Sequence, residues 1–184
     1  MKRYLGTEKE STDSGRSGAE TMENPIAAPY IIRDLRQDEL ALLDDFLYEA
    51  IYIPEGKQPP AREITKQPEL RIYIESFGTR RGDHCLVADC GGKVVGAVWT
   101  RIMNDYGHVD DETPSFAISV NQAYRGRGIG SRLMKTMLKR LKEQGYKRAS
   151  LSVQKENYAV KMYETLGFTA VEETDEEYIM VCEL

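Results

Sequence analysis

Residues Ser115 to Gln144 constrain the fold more than any other stretch, because a strand, a glycine-rich turn and a long helix follow one another there without interruption. In SFAISV, Phe116, Ile118 and Val120 fall at every second position, the period of a strand with one face against a core. NQAYRGRGIG follows, with Gly126, Gly128 and Gly130 at alternate positions. Ile129, Leu133, Met137 and Leu141 then recur at every fourth position, with Met134 and Leu138 beside them and Gly145 as the stop, which predicts an amphipathic helix. A right-handed crossover through that helix would lay Arg148 to Val153 parallel to the first strand. Glycine permits φ > 0 and close backbone approach, and a helix start adds unpaired N–H donors and the positive end of a dipole. The turn is therefore expected to hold a phosphate-bearing ligand.

Charge narrows the guest. The chain carries a net charge of −5 over 184 residues, which argues against a dedicated nucleic-acid binder, since neutralising a phosphate backbone needs a broad basic surface. From Asn121 to Arg148, however, nine Lys/Arg stand against one acid, Glu143, so this segment is +8 and the remaining 156 residues carry −13. A basic island around one glycine turn in an acidic body suits a small polyanion. Cys85, Cys90 and Cys182 are odd in number and lack zinc-site spacing, so reduced thiols are expected, with no disulfide and no metal. The sequence shows no membrane-spanning apolar run and no signal-like segment after Lys2 and Arg3, which makes the cytoplasm the expected location.

One domain is expected over residues 30–184, preceded by a polar, mobile tail or expression leader over 1–29, with Met22 as an alternative start. Tyr30 to Arg33 reads as a strand, and Asp38 to Tyr52 as a helix with Asp38 at its N-cap. Pro54 to Pro68 is loop, and Glu69 to Phe77 a second helix stopped by Gly78. Cys85–Asp89 and Lys93–Ile102 form a hairpin across Gly91-Gly92, with Gly96 marking a bulge or a close backbone approach. Ala159 to Leu166 is a short helix ended by Gly167, and Phe168–Val171 with Tyr178–Cys182 make a last hairpin.

Spacing separates the phosphate-binding alternatives. A Walker A loop requires Gly-Lys-Ser/Thr, and Gly128 is followed by Ile129 and Gly130 by Ser131. A dinucleotide fingerprint requires G-x-G-x-x-G early in the chain and an acid after the next strand, where Gln154 stands. Val120 to Gly130 instead resembles the pyrophosphate loop of the GNAT superfamily of N-acetyltransferases, Arg/Gln-x-x-Gly-x-Gly/Ala, with Arg125, Gly128 and Gly130 at the signature positions. Downstream, Asn157 to Phe168 resembles that superfamily's second signature, N-x-x-A-x-x-x-Y-x-x-x-G-F.

The resemblance implies a mixed α+β fold: a twisted, mostly antiparallel sheet of six to seven strands, one parallel β-α-β pair splayed between strands four and five, and about four helices. It implies acetyl-CoA as co-substrate, its pyrophosphate on Arg125, Gly126, Arg127, Gly128, Ile129, Gly130 and Ser131, and its pantetheine along Ile118, Ser119 and Val120 with Asn157 beside it or capping a helix. Tyr163 takes the proton-donor position, since a phenol can protonate a departing thiolate. The base is expected in the acidic loop before strand four, among Asp110, Asp111 and Glu112, with Glu112 favoured. The implied activity is transfer of acetyl to a primary amine of a small molecule or peptide in a ternary complex. Homodimerisation is compatible with such a fold, and neither nucleic acid nor membrane is an expected partner. The alternative is a non-catalytic acyl-CoA-binding or sensing domain.

Overall fold

The computed structural model describes residues 29–184, so the tail expected over 1–29 lies outside the described residues apart from Pro29. Seven strands form one sheet in the order β1-β2-β3-β4-β5-β7-β6. They are β1 (Ile31–Asp34), β2 (His84–Cys90), β3 (Lys93–Arg101), β4 (Ser115–Val120), β5 (Arg148–Gln154), β6 (Phe168–Glu173) and β7 (Glu177–Glu183). Helices α1 (Leu42–Ala50), α2 (Pro68–Arg71), α3 (Ile129–Glu143) and α4 (Ala159–Thr165) complete the mixed α+β fold. Every strand pairing is antiparallel except that of β4 with β5. The hairpin turns across Gly91 and Gly92, both at positive φ. Two successive left-handed residues suit the twist of the strands they join.

The final hairpin does not simply extend the sheet outward: β7 inserts between β5 and β6. Burial explains this order. Met180, Val181 and Cys182 of β7 are buried, whereas β6 buries only Phe168 and leaves Glu172 and Glu173 exposed. Charged residues on the edge strand discourage pairing with another chain.

Each face of the sheet carries its own core. On one face Leu133, Met134, Met137 and Leu141 of α3 are fully buried with Leu86, Val98, Phe116 and Leu151. Burying side chains of this size contributes about 1.5–3 kcal/mol each before conformational entropy is set against it. On the other face Leu43, Phe46 and Leu47 of α1 pack on Val87, Ala97 and Trp99. Gly96 meets both expectations for it. The register slips between Ala88 and Asp89 opposite it, and a Cβ there would lie 3.1 Å from Val120 Cγ2 and 3.3 Å from the Ser119 carbonyl.

Two helix expectations are corrected. Asp38 is not the N-cap of α1: residues Gln37–Glu39 form a 3-10 turn and α1 begins at Leu42. Glu39 imposes this turn, because its carboxylate accepts from the Arg36 N–H at 2.9 Å and from the Arg33 guanidinium at 2.7 and 2.8 Å. The predicted helix over Glu69 to Phe77 is helical only over Pro68–Arg71 and continues as turns. Arg101 is the physical reason, since its Nη1 takes the carbonyls of Ile72 and Glu75 at 2.8 Å each.

The Arg101 side chain is fully buried and its guanidinium forks onto Asp83, Nε to Oδ1 at 2.7 Å and Nη2 to Oδ2 at 2.8 Å. Asp83 also accepts the Gly78 and Arg80 N–H groups, so the pair ties the whole turn from Ile72 to Asp83 to β3. Removing one partner of a buried ion pair leaves the other charge uncompensated. Arg101→Ala is expected to cost about 3–5 kcal/mol of folding stability, read as a lower denaturant midpoint at unchanged slope.

Candidate active site

The glycine turn lies where β4 ends. Gly126 and Gly128 stand at φ +73° and +75° with no atom within 4 Å of an added Cβ, so what they supply is backbone conformation rather than space. Gly128 is the N-cap of α3 and no side chain caps that end, which leaves the first-turn N–H groups directed at the surface above the turn. Gly130 is a point of convergence: an added Cβ would lie 3.7 Å from Met162 Sδ of α4, 3.8 Å from Ile118 Cδ1 and 3.9 Å from Val120 Cγ2. The two sequence signatures, 27 residues apart from Gly130 to Asn157, thus face one another across the end of β4.

The side chains of the turn act mainly on the turn itself. Arg125 donates from Nε to the Val120 carbonyl at 2.8 Å and approaches Glu49 of α1 at 3.3 Å. Arg127 donates to the Ala123 carbonyl at 2.7 Å and lies over the Tyr124 ring. Ser131 is half-buried in the first turn of α3 beside Gly130. Ile118 and Val120 line the α3 side of the sheet, whereas the Ser119 hydroxyl points to the other face and donates to the Phe46 carbonyl at 2.8 Å. Only the backbone of Ser119 can therefore serve a ligand on the α3 side. Asn157 accepts the Ala159 N–H through Oδ1 at 2.9 Å, which is the capping role.

The parallel pairing of β4 with β5 consists of a single residue pair, Ser115 with Ser150, and beyond it the strands part. Tyr163 of α4 sits on the α3 side of that gap, 8% exposed, with its ring edge-on to Phe168 at 5.9 Å and Phe168 edge-on to Phe116 at 6.0 Å. Burial pushes the Tyr163 phenol above its usual pKa, so it holds its proton throughout the neutral range.

Similarity to known proteins follows this geometry. The profile described as Acetyltransferase (GNAT) family matches residues 47–168, about two-thirds of the chain and both signatures. The chain belongs to the GNAT acetyltransferase family. N-acetyltransferase 8 of Mus musculus is 32% identical over 112 residues, covering 60% of this chain and 48% of that protein. Mycothiol acetyltransferase of Corynebacterium efficiens is 34% identical over 83 residues, covering 45% and 26%. The chain thus spans about half or less of the length of these curated relatives. Among solved structures, the PaiA N-acetyltransferase of Thermoplasma acidophilum in complex with coenzyme A superposes with a TM-score of 0.64 at 18% identity, covering 85% of this chain and 99% of that one. The ribosomal-protein-S18-alanine N-acetyltransferase of Escherichia coli gives 0.61 at 19%, covering 84% and 94%. At these identities the structures establish a shared GNAT fold.

The acidic loop between β3 and β4 divides into two parts. Glu112 is exposed in the turn beside Asp110, which pairs with Arg148 at the start of β5, so it lies on the opposite side of the Ser115–Ser150 pair from the gap. Asp105 faces inward instead: its Oδ2 accepts from the Ser115 hydroxyl at 2.7 Å, and its Oδ1 is buried without a partner among the described residues. Nothing in NDYGHVDDETP singles out Asp105 among four acids; the one local hint is Gly107, whose close approach to β5 becomes visible only in the fold. No group of three or more His, Cys, Asp or Glu among the described residues is arranged to hold a metal ion.

Left-handed backbone at Gly128 gives a direct check on the turn. Gly128→Ala is expected to cost about 1–2 kcal/mol of strain and to weaken acetyl-CoA binding, measured by titration calorimetry, although a methyl group there meets no neighbour.

Proposed function

We propose that the protein is an acetyl-CoA-dependent N-acetyltransferase acting on a primary amine. The observation that carries this reading is the convergence of Gly130, Ile118, Val120 and Met162 beside a strand gap with a buried tyrosine next to it. The first-turn amides of α3 and the Gly126–Gly130 backbone would receive the pyrophosphate, where the donors and the helix dipole both favour negative charge. The pantetheine would run along Ile118 and Val120, past the backbone of Ser119, and its amides would complement strand edges left open by the parting of β4 and β5. Asn157 would support this arm indirectly by capping α4. The relatives named N-acetyltransferase and the PaiA protein with coenzyme A bound support the same choice.

The amine nitrogen would attack the thioester carbonyl in the gap, and the departing sulfur would take the Tyr163 proton. Burial raises the phenol pKa and so opposes donation, but it raises that of a thiol in the same surroundings as well. The difference between the two acids, rather than either pKa alone, sets the cost of transfer.

Tyr163→Phe is expected to lower turnover by about 100-fold or more while leaving the acetyl-CoA dissociation constant within a few-fold of the wild type. Thiol release over an amine panel, with calorimetry for binding, measures both. Tight acetyl-CoA binding without turnover on any amine would favour a non-catalytic acyl-CoA sensor instead.

A further inference from the structure

Three observations meet at the mouth of the β4–β5 gap, on the face opposite Tyr163. Asp105 Oδ1 and Ser150 Oγ are both buried, and neither has a hydrogen-bond partner among the described residues. They are neighbours through one linkage, because Asp105 accepts from Ser115 and Ser115 is the residue paired with Ser150. Buried polar atoms are nearly always bonded, so two orphans in one place mark a position for a polar guest. Gly107, two residues after Asp105, is buried against β5 where β4 leaves it. A Cβ there would lie 2.7 Å from Ser115 Oγ and 3.0 Å from both the Leu151 carbonyl carbon and the Ser152 nitrogen. The loop is thus seated on the gap, and it carries Asp105 with it.

We propose that Asp105 is the proton acceptor for the amine nucleophile, presenting Oδ1 at the mouth of the gap. The assignment rests on the acetyl-transfer function proposed above. It separates the two proton-transfer groups by the sheet, with Asp105 on the face from which the amine enters and Tyr163 on the face that holds the thiol arm. As the nitrogen attacks and the C–N bond forms, Asp105 takes the proton from that nitrogen. The C–S bond then breaks, its electron pair leaves on sulfur, and the Tyr163 phenol protonates the thiolate. Solvent returns a proton from Asp105 to the tyrosinate, leaving an amide and the free thiol of coenzyme A.

The electrostatic setting fits that task. Desolvation raises the Asp105 pKa above the ordinary carboxylate value, while the hydrogen bond from Ser115 and the nearby Tyr73 phenol work against the rise. A base with a raised pKa accepts a proton more readily near neutrality. The groups that face the pair formed by Tyr73 and Asp105 are Tyr106 of the same loop and Glu177 of β7; burial raises the Tyr73 pKa most, and Asp105, Tyr106 and Glu177 add to the rise. Glu177 is held there by Ser152 at 2.9 Å and Gln154 at 2.6 Å. Negative charge around the entrance favours an acceptor that arrives as an ammonium ion and releases one proton to solvent before the neutral amine attacks.

The test uses the full chain with acetyl-CoA and three probe amines: spermidine, lysine ethyl ester and phenethylamine. Asp105→Asn should lower kcat by about 100-fold or more and abolish the acidic limb of the pH–rate profile, with acetyl-CoA binding unchanged and Glu112→Gln behaving as wild type. Ser115→Ala removes a hydrogen bond to the charged carboxylate, so the acidic limb should move to higher pH. This variant keeps the proposal open to refutation should Asp105→Asn fail to fold. Turnover and acidic limb within two-fold of wild type in Asp105→Asn, or an unmoved limb in Ser115→Ala, would overturn the assignment of Asp105 alone. Wild-type protein that turns over none of the three amines would overturn the acetyl-transfer function and this assignment with it.

Discussion

The single β4–β5 pairing at Ser115 and Ser150 is the constraint on which the rest of the site depends. Two parallel strands joined by a crossover helix ordinarily share a continuous ladder. Here they share one rung, and the edges beyond it are left to something other than each other. Backbone polar groups next to a core need partners, so a gap of this kind is stable when a ligand or a loop completes it. On one face the glycine turn and α4 approach the gap, and on the other the β3–β4 loop does, seated through Gly107. Each approach brings a titratable side chain: Tyr163 on the first face and Asp105 on the second.

The glycine turn is held by short-range chemistry rather than by its neighbours' bulk. Arg125 and Arg127, which the family resemblance placed among the pyrophosphate ligands, donate to the carbonyls of Val120 and Ala123. Their cost in mobility is offset by a turn whose left-handed glycines are already in place before any ligand arrives, so that less ordering entropy opposes binding. The basic island is then a favourable field around fixed amides, and the amides themselves supply direction.

A buried ion pair underlies the opposite face. Arg101 and Asp83 anchor the irregular chain between α2 and β2 to the sheet, and Tyr73, which borders Asp105, lies within that anchored stretch. Replacing a regular helix by turns over Ile72 to Gly78 leaves carbonyls free to accept from Arg101. The entrance to the gap is in this sense built from chain that could not be helical once the guanidinium was buried beneath it.

Local chemistry made much of this legible from the residues alone. The hairpin across Gly91-Gly92, the α3 stripe and the stops at Gly145 and Gly167 depend on contacts or dihedrals within a few residues, and all of them stand as the sequence predicts. The two signatures identified the family because their spacing is local too. Tertiary structure decided what depends on distant partners. Arg101 shortened the second helix, Glu39 displaced the start of α1, and the burial of β7 placed it between β5 and β6. It also turned one aspartate of an acidic loop inward while leaving Glu112 in solvent, since only the path of the loop over β5 distinguishes the two. The sequence by itself determined the left-handed glycine turn at the start of α3, because backbone conformation at glycine is a local property. Which carboxylate meets the gap was settled by packing between elements far apart in the chain.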